Sequence, residues 1–289
     1  MSPLAGEVLT VEPLDQVRRA LTEQLEKGEL KLPLLPKVAG QVMAMTSDPN
    51  ADIAQMASLI HHDQALAANV LRIANSVAYM PRSPIISLQQ AIAWLGLNVL
   101  GEIALTASLR SGVFHIAGRE AEIKHLWRHA VASGAYAKEI ARTRRQNVEM
   151  AYLCGLLHAI GKPALLHVLG TIEKNLHVEL DEGARVTLLE EDHVRVGCVI
   201  ADLWGLPGPV RGAIASYVGY GASPTAAAEV MITCLADRLA THLLMPDALS
   251  LEALRDHPVF TNLNLYPEDV DALLGKQEAI MKVVESLRL

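Results

Sequence analysis

Eleven histidines in a 289-residue chain of net charge -7 raise the question of metal binding, because neutral imidazole and carboxylate are the ligands of Zn, Fe and Mn sites. Context sorts them. His115, His125, His167, His177, His242 and His257 stand singly, without carboxylates at a spacing that forms a recognisable site, and read as surface or satisfied core residues. His129 in LWRHAVASGAYAKEIA, His158 in YLCGLLHAIGK and His193 in EEDHVRVGCVIADLWGLP lie inside helical patterns and carry more weight. His62-Asp63 is a literal His-Asp pair, but it sits at a helix boundary where Asp63 can cap a helix starting at Gln64, so capping explains it better than ligation. The three cysteines, Cys154, Cys198 and Cys234, are far apart, lack a CxxC spacing and stand among apolar residues. That suits reduced thiols without a metal or redox role.

These residues need elements to hold them, and the apolar pattern is helical throughout. No alternating run of strand length occurs, and aromatic residues make up only 4% of the chain, which favours helix-on-helix packing. The expectation is an all-α multi-helix bundle. Its clearest helix begins at Ser87, which can cap the segment SLQQAIAWLGL with Gln90 completing a capping box; Leu88, Ile92 and Leu95 form the buried stripe and Gly96 is expected to end the helix. Punctuation at 48–52, 61–64 and 81–84 divides the first part into short helices that depend on tertiary packing. Glycines and charges between about residues 112 and 120 mark a boundary. The organisation read from this is an N-terminal helical subdomain over 1–115, a helical core over 120–245 and a C-terminal extension over 246–289. Further helices are predicted over 121–143, 148–158, 185–204, 224–244 and 267–287. In the last of these Val270, Leu273, Leu274, Gln277 and Met281 recur at helical spacing, a face expected to pack on the bundle, with a second subunit as the alternative.

The acidic balance argues against nucleic acid as a partner, since phosphate neutralisation needs clustered Lys and Arg and no helix carries a sustained basic face. Arg142, Arg144 and Arg145 are the local exception, and they read as a helix end favoured by the helix dipole. The N-terminus has neither a basic start nor an apolar core, and no stretch approaches the roughly 18 uncharged apolar residues of a membrane span. A cytoplasmic protein without membrane contact is expected.

GLLHAIGK resembles the GLLHDIGK signature of the HD superfamily of metal-dependent phosphohydrolases, in which adjacent His and Asp bind metal and a nearby Lys faces the phosphate. The resemblance places His158 at the histidine of that pair, Ala159 at the aspartate and Lys162 at the lysine. It also matches His129 to the upstream histidine, His193 with Val196-Gly197 to the later one, and Asp237 in CLADRLA to the closing aspartate. Where tandem histidines are expected, this chain has Ser216 and Tyr217. The N-terminal half narrows the likeness. LPLLPKVAGQVMAM and LIHHDQALAANVLRIANSVAYMPRSPIISLQQAIAWLG are similar to the HDOD domain, the HD-related output domain of bacterial signalling proteins, starting near residue 25 and running to about 245. Asn75 and Ser76 in its signature turn are read as capping or bracing that turn, with an exposed partner site as the alternative.

The resemblance implies an all-α fold with an HD-like core, a signalling role through protein partners and loss of the hydrolase residues. Ala159 offers a methyl group where a charged oxygen ligand belongs, so no cofactor and no metal are expected; if an ion binds, His129, His158 and Asp237 are its ligands. Two alternatives stay open. One is a weak mononuclear metal-dependent phosphohydrolase on those three residues. The other is a nucleotide-sensing protein without turnover, with Lys162, Arg128 and Arg195 as anion contacts.

Overall fold

Side chains just ahead of the first helical turn start several of the helices. Asp52 accepts from the Ala54 amide at 2.9 Å, Asp63 from Leu66 at 3.0 Å, Ser87 from Gln90 at 3.1 Å, Asn147 from Met150 at 2.8 Å and Asp181 from Ala184 at 2.7 Å. Each satisfies an amide that the first helical turn leaves unpaired. The computed structural model describes residues 12–46, 52–220 and 227–287, and no strand occurs among them. The helices are α1 (Pro13–Lys27), α2 (Lys37–Thr46), α3 (Ile53–His61), α4 (Gln64–Ala74), α5 (Leu88–Gly112), α6 (Glu120–Arg144), α7 (Val148–Leu157), α8 (Gly161–Leu176), α9 (Glu182–Leu203), α10 (Gly208–Ser216), α11 (Ala228–Leu244), α12 (Leu251–Arg255), α13 (Val259–Asn262), α14 (Pro267–Leu274) and α15 (Gln277–Ser286).

Helices α2 to α5 pack chiefly on one another, while α6 to α11 form the core that carries the histidines, with α6 against both α7 and α11. The first helix, α1, lies on α8 and α9. Trp127, fully buried on α6, stacks edge-on against Phe114 with ring centres 5.0 Å apart and donates its indole N–H to the Leu287 carbonyl at 2.7 Å. Arg72 of α4 donates to the neighbouring Ser286 carbonyl at 3.1 Å. The C-terminal helix is thus held by both halves of the molecule, through carbonyls that a helix end leaves free. Between the halves, Lys138 of α6 meets Glu102 of α5 at 2.5 Å, and the Tyr152 hydroxyl lies 2.6 Å from Thr106 Oγ1.

Three sequence expectations change. Gly96 has the anticipated positive φ of 79°, yet the chain re-enters the helix at once, so it kinks α5 instead of ending it. Burial of Leu100, Ile103 and Ala104 beyond the kink is the reason, since tertiary packing outweighs a local stop signal. The stretch 267–287 is two helices, α14 and α15, joined near Gly275. Two apolar stretches, Leu88–Gly112 and Val148–Leu176, do reach membrane-span length and hydropathy. The fold buries 56% and 78% of their most apolar windows, and the second is divided into α7 and α8. Residues 48–51 and the predicted helix start at Pro224 lie outside the described residues; α11 is described from Ala228.

The signature turn is built on one side chain. Asn75 Nδ2 donates to the carbonyls of Leu71 and Ile85, both at 2.8 Å, while its Oδ1 accepts from the Ile85 amide at 2.8 Å. This closes the loop between α4 and α5 as a backbone pair would. Ser76 Oγ is buried without a partner among the described residues. Asn75→Ala is expected to lose about 1–3 kcal/mol in urea denaturation, because two backbone groups of Ile85 lose their partner. Asn75→Asp should do no better, since a carboxylate would face the two carbonyls; full stability in either variant would contradict the bracing role.

Candidate functional site

Three helices bring three ligand atoms together. His129 comes from the middle of α6, Asp237 from α11 and His158 from the turn that follows α7. The two imidazoles and one carboxylate place their ligand atoms within 4.8 Å of one another. His158 Nε2 lies 3.1 Å and His129 Nε2 3.5 Å from Asp237 Oδ1. The α8 start holds the site from the other side, because Gly161 lets α8 touch α9 so closely that a Cβ there would stand 1.8 Å from the His193 carbonyl oxygen.

Hydrogen bonds decide which ring nitrogen does what. His158 Nδ1 faces the Gly155 carbonyl at 2.7 Å, and a carbonyl only accepts, so Nδ1 carries a proton. Its Nε2 then meets a carboxylate, either as the second N–H of an imidazolium or as a lone pair sharing a cation with Asp237. His193 differs. Its Nδ1 donates to Leu189 O at 2.7 Å, which leaves Nε2 to accept from the Tyr217 hydroxyl at 2.9 Å. Thr241, one turn after Asp237, donates to the Asp237 carbonyl at 2.9 Å and can accept from His129 Nε2 at 3.1 Å.

The charges follow from burial and neighbours. Burial, opposed by Asp237 and aided by His158 and Lys162, pushes the His129 imidazole down to about 4, so it is neutral at pH 7. Burial drives Asp237 up, but the His158 hydrogen bond and the charges of His158, His129 and Lys162 outweigh it and leave this carboxyl below its ordinary value. His193 is lowered by burial and then by Lys162, while burial first, and Asp237 and Glu190 after it, raise the Tyr217 phenol far above its usual range. Burial, Arg128 and Lys162 lower His125.

Two of the three ligand spacings suit a single ion. Zinc bonds of about 2.0–2.1 Å in a tetrahedron put two donor atoms roughly 3.3 Å apart, the range of both spacings to Asp237. The His158 Nδ1 to carbonyl bond is also the support that orients a metal-bound imidazole. Among the described residues no second cluster of His, Cys, Asp or Glu stands here. Ala159 supplies no oxygen, Ser216 ends α10 with its side chain exposed, and Tyr217 is turned onto His193 and stacked against His158 with ring centres 4.7 Å apart. Lys162 pairs with Glu190 at 2.7 Å, and Arg195 pairs with Asp192 one turn earlier on α9. Thr241 and Glu190 escaped the sequence reading; Thr241 is four residues from Asp237 on one helix face, a spacing that could have flagged it, whereas Glu190 had no local signal.

The sequence profile of the HDOD domain family matches residues 32–218. That is shorter at both ends than the anticipated span from about 25 to 245, and it leaves Asp237 outside. A protein of Treponema pallidum (strain Nichols) is 28% identical over 196 residues, amounting to 62% of this chain and 36% of that protein, so the chain spans little more than a third of this relative. Among solved structures, a candidate metal-dependent phosphohydrolase from Shewanella amazonensis SB2B has a TM-score of 0.71 at 19% identity, covering 95% of this chain and 99% of that one. An HDOD domain protein from Geobacter sulfurreducens has a TM-score of 0.70 at 22% identity over 95% and 96% of the two chains. A candidate signal transduction protein from Marinobacter aquaeolei VT8 has a TM-score of 0.67 at 22% identity over 96% of this chain and 67% of that one. At these identities the likeness establishes the fold.

Proposed function

Because this chain belongs to the HDOD domain family, we propose that it is a cytoplasmic regulatory module that acts through contacts with a protein partner and performs no hydrolysis. The observation that carries this reading is Ala159. The residue beside His158 in the α7–α8 turn has a methyl group where an HD hydrolase has a metal-binding carboxylate. The inward turn of Tyr217 onto His193 supports it, since those atoms satisfy each other. On the α2–α5 half, Val77, Met80, Ile86 and Trp94 stand exposed, apolar surface of the kind that protein contacts cover. Purified without a histidine tag and supplied with Mn2+ or Fe2+, the protein should not turn over cyclic dinucleotides or bis-p-nitrophenyl phosphate above the level of Asp237→Ala. Turnover that disappears in Asp237→Ala would overturn the reading.

The convergence of His129, His158 and Asp237 favours a second reading, a mononuclear metal site. There these three residues would hold the ion, which would supply Lewis acidity. Elemental analysis separates the two: stoichiometric metal in the untagged protein, lost in Asp237→Ala, selects the metal site.

A further inference from the structure

A cavity of about 870 Å3 lies apart from the histidine cluster and shares none of its residues. It is walled by the loop ahead of α6, the C-terminal half of α8 and the start of α9. Three cationic side chains line it from three different elements: Arg119 before α6, Lys174 in the last turn of α8 and Arg185 in the first turns of α9. The lining carboxylates are Glu173 and Glu179, one fewer than the cations.

One of the guanidiniums is short of an acceptor. Glu173 is buried and already accepts from the Leu180 amide at 2.8 Å; it reaches Arg185 Nη2 at 3.2 Å and Arg119 Nη2 at only 3.8 Å. Arg185, its side chain 8% exposed, has a further bond from Nη2 to Leu180 O, but its Nε–H is buried with no partner among the described residues. Arg119 also pairs with the part-buried Glu122 at 3.4 Å, whereas the further carboxylate near Arg185, Glu182 at 3.7 Å, is 82% exposed. The buried Nε–H of Arg185 is thus left as an unused donor beside a shared carboxylate, and an anion in the cavity would satisfy it.

The wall of the cavity gives a second observation. Gly170 lies between Leu166 and Lys174 on the face of α8 that lines it. Glycine inside a helix is unfavourable relative to alanine, and no close neighbour requires it here, because a Cβ would meet nothing within 4 Å. Its missing side chain keeps the cavity open.

We propose that this cavity binds a small phosphomonoester, with Arg119, Lys174 and Arg185 around the phosphate and Ile116, Leu166 and Val178 against the organic part. Donors converging from three elements suit a three-oxygen terminal group better than a planar carboxylate, which one guanidinium fork can satisfy. The volume fits a ligand of nucleotide size. This binding is independent of whether the histidine cluster holds an ion.

Isothermal titration of the full chain with inorganic phosphate, AMP, adenosine and succinate tests it. Phosphate and AMP should bind, and adenosine should not. Lys174→Glu and Gly170→Met should each weaken AMP at least about tenfold, the first by reversing a contact charge and the second by filling the space, with melting temperatures no lower than that of the wild type. Lys162→Ala, at the other end of α8, should bind AMP like the wild type. Absence of binding at millimolar phosphate and AMP, wild-type affinity in both α8 variants, loss of binding in Lys162→Ala, or succinate binding as tightly as phosphate would each overturn the proposal.

Discussion

Gly161→Ala is expected to destabilise the protein by about 3 kcal/mol or more, an unusually large effect for one methyl group. The added carbon would stand 1.8 Å from the His193 carbonyl oxygen and 2.7 Å from the Gly197 amide nitrogen, and both are backbone atoms that no rotamer change can move. Relief requires α8 and α9 to separate. That motion would carry Lys162 away from Glu190 and disturb the turn that holds His158, so the loss should be cooperative with damage at the site. Gly170→Ala, on the same helix, is the control: its Cβ enters open space, and replacing a helical glycine should stabilise by up to about 1 kcal/mol. Urea denaturation of the two variants should therefore move the midpoint in opposite directions. A Gly161→Ala midpoint within error of wild type would mean that the helices do not cross this closely.

Ala159→Asp should raise the affinity for a divalent ion by at least about 10–100-fold, since even changes behind the first ligand shell alter affinity by that much. The side chain at 159 is half-buried in the turn beside His158, and the Ala159 carbonyl already caps the start of α8 by accepting from the Lys162 amide at 2.9 Å. The new carboxylate would join one from Asp237 and two imidazoles, a fuller set for one ion. Titration with Mn2+ reads the change directly. Hydrolysis is not expected to follow, because Ser216 and Tyr217 still stand where a second ion would need ligands. An unchanged Mn2+ affinity would remove Ala159 as the explanation for a dismantled site and leave the regulatory reading without its main support.

How far the sequence alone reaches depends on the range over which each signal acts. Caps at Asp63 and Ser87 and the helix end at Arg145 are decided within a few residues, so those signals appear in the order of amino acids and survive folding. The absence of a side-chain oxygen at Ala159 is equally local, because no packing can give a methyl group a ligand atom. Gly96 shows the limit. Its positive φ was legible, but continuation of α5 was not, because burial of Leu100 and Ile103 is a property of the assembled core.

The site divides in the same way. The motif resemblance named His129, His158 and Asp237, but His158 and Asp237 are 79 positions apart, and only the packing of α6, α7 and α11 brings the three within ligand distance. Tertiary structure also turned Tyr217 onto His193, committed Lys162 to Glu190 and gathered Arg119, Lys174 and Arg185 around a cavity that no local pattern announced. The physical reason is that residue types and short spacings specify what a side chain can donate, accept or ligate, whereas which partner it meets, and how far water is excluded from the meeting, depend on contacts between distant helices.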